Sequence, residues 1–186
     1  MNRSSSIRFL LIFFVFSIVL GILVITEHPI RQTKTEAKVL QNVEIENFGE
    51  QNAQEIYLAG GCFWGVEAYF KELQGVLETE VGYANGKSDE TSYQQLSETG
   101  HAETVRIRYD AYKISLWELL EHFYRIIDPF SVDKQGNDRG HQYRTAIFYT
   151  DDAAATIAIS FLSKKQAEED EKIRVVVEPL ENFIEA

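Results

Sequence analysis

The run Ile56-Tyr57-Leu58-Ala59 stops at Gly60-Gly61 and gives way at once to helical spacing at Val66, Phe70 and Leu73. A short apolar run bounded by glycines reads as a buried strand, and the 3.6-residue recurrence after it reads as a helix. The chain must therefore reverse from strand to helix within two or three residues. Cys62, the only cysteine, sits in that turn, followed by Phe63 and Trp64. A single cysteine rules out an intramolecular disulfide and any multi-cysteine metal site. An isolated cysteine is usually a small buried apolar residue. Burial alone does not call for two glycines, which serve close backbone approach or a sharp turn. A thiol at a helix N-terminus also sits where negative charge is stabilised, which suits a nucleophile. Phe63 and Trp64 are either plain core residues or the apolar wall of a pocket beside the sulfur.

Charge is unevenly spread. Residues 1–38 carry five Lys/Arg and two Asp/Glu, whereas residues 39–186 carry 13 and 27, a net charge of −14. So acidic a domain lacks the basic surface that phosphate contacts need, and nucleic acid is not an expected partner. Phe9 to Ile25 contains no charged residue and follows Arg3 and Arg8. At ~1.5 Å per residue this run reaches about 25 Å, the short end of a membrane span. No small-x-small cleavage pattern follows it. The expectation is a single-pass signal-anchor over residues 1–26, a polar tether over 27–54 and a domain over 55–186 outside the cytoplasm. Cleavage of the same segment, which would yield a secreted protein, is the alternative.

Along the domain, Val76 to Tyr83 alternates as a strand should, and Asn85-Gly86 marks a turn. Residues 87–100 read as a loop. Ala102 to Tyr109 alternates again, with Glu103 expected to face water. Ser115 and Glu118 form a capping-box pattern ahead of Leu116, Leu119, Leu120, Phe123 and Ile127. A polar loop around Gln135 to Gly140 precedes a strand from Tyr143 to Tyr149. A helix from Asp151 to about Asp170 and a last strand from Ile173 to Val177 complete the pattern. The order β-α-β-β-α-β-α-β predicts an α+β fold, a mixed sheet with packed helices related to the ferredoxin-like, split βαβ sandwich. The four scattered histidines show no ligand spacing, so no metal site is expected.

Gly61-Cys62-Phe63-Trp64-Gly65 resembles the active-site signature of type A peptide methionine sulfoxide reductases. The resemblance continues through Gly82-Tyr83, Gly100-His101-Ala102-Glu103, Asp128-Pro129, Gln135-Gly136-Asn137-Asp138 and Gln142-Tyr143-Arg144. It implies thiol-dependent reduction of methionine S-sulfoxide, free or in oxidised proteins, through a sulfenic acid on Cys62. Phe63 and Trp64 would accept the S-methyl group. Tyr83 and Tyr143 would direct hydroxyls at the sulfoxide oxygen, and Asp138 would position the substrate. It puts Gln95 where many members carry a glutamate, which makes it a pocket residue able to donate a hydrogen bond but not a proton. Family domains usually continue past the equivalent of Ala186, with another pocket tyrosine and often resolving cysteines, and the chain is expected to lack that tail. With Cys62 alone, a thioredoxin-like protein or a small thiol would serve as reductant, and no cofactor is bound. Two other functions fit the residues: a methionine-sulfoxide-binding module with impaired turnover, and a peroxide-responsive thiol protein.

Overall fold

The computed structural model describes residues 38–39 and 51–186. The apolar run at Phe9–Ile25 and most of the expected tether lie outside the described residues. Among those described, no helix is long and apolar enough to cross a membrane.

The run that reads as a buried strand is the centre of the sheet. Strand β1 (Ala53–Gly60) pairs antiparallel with β3 (Ala102–Asp110), placing Ile56 opposite Ile107 and Leu58 opposite Val105. Its other edge pairs antiparallel with β6 (Thr145–Tyr149). Strand β2 (Val76–Ala84) lies on the far side of β3. The order β6-β1-β3-β2 leaves β1 and β2 parallel on either side of β3, joined by α1 (Phe63–Phe70), which is a split βαβ unit. Strand β7 (Val176–Pro179) extends the sheet parallel to β6, and β8 (Phe183–Glu185) extends it antiparallel to β2.

Successive strand side chains alternate between faces, and both faces of β1 are covered. Ile56 and Leu58, with Val105, Ile107 and Ile147, join the main core. That core is completed by Phe63, Val66 and Phe70 of α1, by Leu116, Leu119, Leu120 and Phe123 of α3 (Leu116–Ile126), and by Ala154, Ala158 and Phe161 of α4 (Asp152–Glu168). On the opposite face Tyr57, Ala59, Ala84, Ala102, Ala146 and Phe148 form a thinner cluster packed by Leu180 and Phe183. The capping box at the start of α3 is formed in full. The Ser115 hydroxyl accepts from the Glu118 amide at 3.2 Å, and the Glu118 carboxylate accepts from the Ser115 amide at 2.9 Å.

Four segments differ from the expectation. The supposed loop 87–100 contains a 3-10 turn at Tyr93–Gln95 and a short helix α2 (Leu96–Thr99), anchored by buried Leu96. The polar centre near Gln135 is a tight hairpin of β4 (Lys134–Gln135) and β5 (Asp138–Arg139). Residues 141–143 form a 3-10 turn ahead of β6. The penultimate strand begins at Val176 because Ile173 and Val175 are buried in the core before pairing starts, and the three-residue β8 follows it.

Candidate active site

The site is built at the end of β1. A Cβ on Gly60 would lie 2.8 Å from the Phe123 ring and 2.9 Å from Ile127 Cγ2. Gly61 has φ of +88°, and a Cβ there would lie 2.5 Å from Gln135 Cβ. The turn is therefore squeezed between α3 and the β4–β5 hairpin, and one of its residues takes a backbone conformation that side chains rarely adopt. Cys62 follows as the N-cap of α1, its carbonyl accepting from the Gly65 amide at 3.1 Å and the Val66 amide at 3.4 Å. Its side chain makes no capping hydrogen bond, so the half-buried sulfur is left to the pocket.

That pocket has a volume of about 390 Å³ and is lined by Cys62, Phe63, Trp64, Tyr83, Tyr93, Glu103, Asp138 and Tyr143. Phe63 is buried, its ring centre 5.7 Å from that of Tyr83 and 5.9 Å from that of Trp64. Trp64 is 69% exposed and forms an apolar wall open to solvent. The Tyr93 and Tyr143 hydroxyls are hydrogen-bonded at 3.1 Å.

Glu103 is 2% exposed. The Phe63 amide donates to its carboxylate at 3.2 Å. Burial pushes its pKa above the ordinary carboxyl value, the nearby Asp138 charge pushes the same way, and the Phe63 amide opposes both. The Tyr83 hydroxyl is held above its usual value by burial and by Glu103. That of Tyr143 is raised chiefly by its hydrogen bond with Tyr93, then by burial. Both phenols accordingly stay protonated near neutrality and can donate hydrogen bonds. Within one cavity the chain assembles a sulfur nucleophile, an apolar wall, phenolic donors and a carboxyl group biased toward keeping its proton.

Six of the seven residues expected from the sequence line this pocket. Gln95 does not. It is exposed, its side-chain oxygen accepts from the Ser92 hydroxyl at 2.9 Å, and the residue its 3-10 turn sends into the pocket is Tyr93. Glu103 was expected to face water and is instead buried at the pocket. Its position was readable: on β3 it shares parity with Val105, Ile107 and Tyr109, the apolar face, whereas Arg106 and Arg108 have the opposite parity. Tyr93 carried no such signal, because its segment has no period. Among the described residues no group of three His, Cys, Asp or Glu side chains could hold a metal ion.

Comparison with known proteins agrees with this architecture. Residues 54–186 match the peptide methionine sulfoxide reductase family. The crystal structure of reduced Mxr1 from Saccharomyces cerevisiae is 34% identical, with a TM-score of 0.69 over 73% of this chain and 81% of that one. Methionine sulfoxide reductase A of Corynebacterium diphtheriae is 32% identical, with a TM-score of 0.62 over 72% of this chain and 67% of that one. Mxr1 in complex with Trx2 is 28% identical, with a TM-score of 0.57 over 73% and 82%. The chain belongs to the peptide methionine sulfoxide reductase family and is an enzyme of methionine sulfoxide reduction.

Proposed function

We propose that Cys62 is the nucleophile, that the preferred substrate is the S epimer of methionine sulfoxide, and that Glu103 supplies the proton. The observation that carries this reading is the shared pocket, in which the free thiol of Cys62 meets a buried carboxyl group whose pKa burial raises above the ordinary value. The Cys62 sulfur attacks the sulfoxide sulfur and yields its proton to the pocket as Glu103 gives one to the oxygen, so Glu103 ends protonated, while Tyr83 and Tyr143 donate hydrogen bonds to that oxygen. Collapse of the adduct leaves the oxygen on Cys62 as a sulfenic acid and releases methionine. The thiol loses two electrons and the sulfoxide gains two, so this step needs no other reactant. Phe63 and Trp64 shelter the S-methyl group, and Asp138 orients the substrate. An external thiol then attacks the sulfenic acid, forming a mixed disulfide and water. A second thiol frees Cys62. The complex of Mxr1 with Trx2 supports a thioredoxin-like protein in that role.

Turnover of a peptide methionine S-sulfoxide by the full chain in detergent micelles, with excess dithiothreitol, tests the reading. Wild-type protein is expected to turn over many times and Cys62→Ser not at all. A sulfenic acid probe is expected to label Cys62 only after sulfoxide is added. Sustained turnover by Cys62→Ser would overturn the assignment.

The sequence supports a membrane location: the uncharged run Phe9–Ile25 follows two arginines and is trailed by polar residues. The domain then faces the far side of the membrane, where the reductant is itself anchored or secreted. Substrates are exposed oxidised methionines, consistent with repair of oxidative damage. Alkaline carbonate extraction is expected to leave the chain in the membrane with its N-terminus intact. A soluble product beginning beyond Ile25 would instead establish cleavage.

A further inference from the structure

Gln135 has no part in the chemistry above, yet both polar ends of its half-buried side chain are hydrogen-bonded. Its carbonyl oxygen accepts from the Asp128 amide at 2.8 Å. Its amide nitrogen donates to the Asp128 carbonyl and to the Ser131 hydroxyl, each at 2.8 Å. Both ends of one side chain thus tie the start of the 128–135 loop to its end. A backbone bond from the Gly140 amide to the Asp133 carbonyl, 2.9 Å, closes the hairpin that follows. The aliphatic part of Gln135 fills the space a side chain on Gly61 would need, with Cβ and Cγ 2.5 and 3.0 Å from that position. Gln135 is also the direct cross-strand partner of Asp138, which lines the pocket. One side chain therefore abuts the residue before the nucleophile and pairs with the strand that carries a pocket carboxylate.

We propose that Gln135 is a positioning residue: it clamps the β4–β5 hairpin against the Gly61–Cys62 turn and so sets where Asp138 stands relative to Cys62 and Glu103. The inference rests on the functional reading above, because it concerns the geometry of the same pocket. The groups that interact with Glu103 are Asp138, Tyr83, Tyr143 and the Phe63 amide, and Cys62 and Tyr93 share its pocket. Of these, only Asp138 is carried by the hairpin. If the clamp loosens, the Asp138 charge withdraws from Glu103 and water reaches the carboxyl group. Both changes ease ionisation of Glu103.

Gln135→Met tests this, since methionine keeps the length that packs on Gly61 and loses all three hydrogen bonds. Ser131→Ala removes one of the three and serves where the first variant fails to fold. In the full chain, Gln135→Met is expected to lower kcat/KM between about 10- and 100-fold, the scale for a misplacement near 1 Å. The alkaline limb of its pH–rate profile is expected to move to lower pH. Ser131→Ala is expected to move the limb the same way by less. Fluorescence of Trp64, in a Trp117→Phe background, reads the same titration without turnover. A shifted fluorescence midpoint in an inactive protein would support the clamp and sink only the functional reading. A limb and midpoint that stay in place would overturn the clamp, whether activity holds within about twofold or falls only in step with thermal stability.

Discussion

Glu103→Gln separates the proton from the shape of the site. The glutamine carbonyl can still accept from the Phe63 amide, which lies 3.2 Å from the carboxylate now, so the fold and the pocket wall are retained. What is lost is the transferable proton. A positioned general acid contributes about 10²- to 10⁴-fold, so kcat is expected to fall by that factor. At about 1.36 kcal/mol per tenfold this corresponds to a barrier higher by roughly 2.7 to 5.4 kcal/mol. Stability moves the other way. In the native state burial, and then Asp138, raise the Glu103 pKa above the ordinary 4.5. Below that value both folded and unfolded chains hold the proton, and the group contributes nothing. As pH rises from 4.5 toward the native value the unfolded chain releases its proton first, so the wild-type fold loses stability across that interval. The loss is constant above it. Glutamine does not titrate, so the variant is expected to gain in Tm relative to wild type as pH passes through the interval. The assay is steady-state turnover of a peptide methionine S-sulfoxide with dithiothreitol, from mildly acidic to mildly alkaline pH, beside thermal melts at each pH. The wild-type rate is expected to fall as Glu103 ionises, and the variant to lack that limb. A variant within about threefold of wild type, with the same alkaline limb, would refute Glu103 as the proton donor.

Two further substitutions test where the pocket ends. Gln95→Ala removes an exposed side chain bonded to Ser92 and is expected to leave kcat/KM within about twofold and stability within about 0.5 kcal/mol; a tenfold loss of activity would return Gln95 to the site. Trp64→Ala removes a wall that is 69% exposed, so KM is expected to rise while Tm holds; a large drop in Tm with unchanged KM would mean that Trp64 belongs to the core.

Much of the architecture was legible because it is written at short range. The period-2 pattern of Ala102 to Tyr109 and the 3.6-residue pattern of Leu116 to Phe123 are properties of consecutive residues, and both elements form where those patterns lie. The Ser115–Glu118 pair caps a helix because the two groups are three residues apart in any fold. The strand–glycine–helix turn around Cys62 is local in the same sense. Gln95 shows where such reasoning fails. Counting residues through 87–100 treats the segment as featureless, whereas it coils into a 3-10 turn and a helix, and a shift of two residues exchanges Gln95 for Tyr93 at the pocket. Strand β8 was equally silent, since three residues hold no period and its register comes from Gly82–Ala84.

By itself the sequence determined the mixed α and β elements, the position of the one thiol at a helix start, the acidic charge of the domain and the motifs that mark its family. Only the tertiary structure decided that Glu103 and Tyr93 join the expected residues around that thiol and that Gln95 does not. Glu103 is 41 residues from Cys62 and Asp138 is 76 residues away, and neither separation carries distance information. They meet because β1 pairs with β3 in one register and because Gly61 and Gln135 pack without a side chain between them. The raised proton affinity of Glu103 is likewise a property of its surroundings. Burial and a neighbouring carboxylate change the free energy of its charged form, and both exist only once distant strands have closed around it.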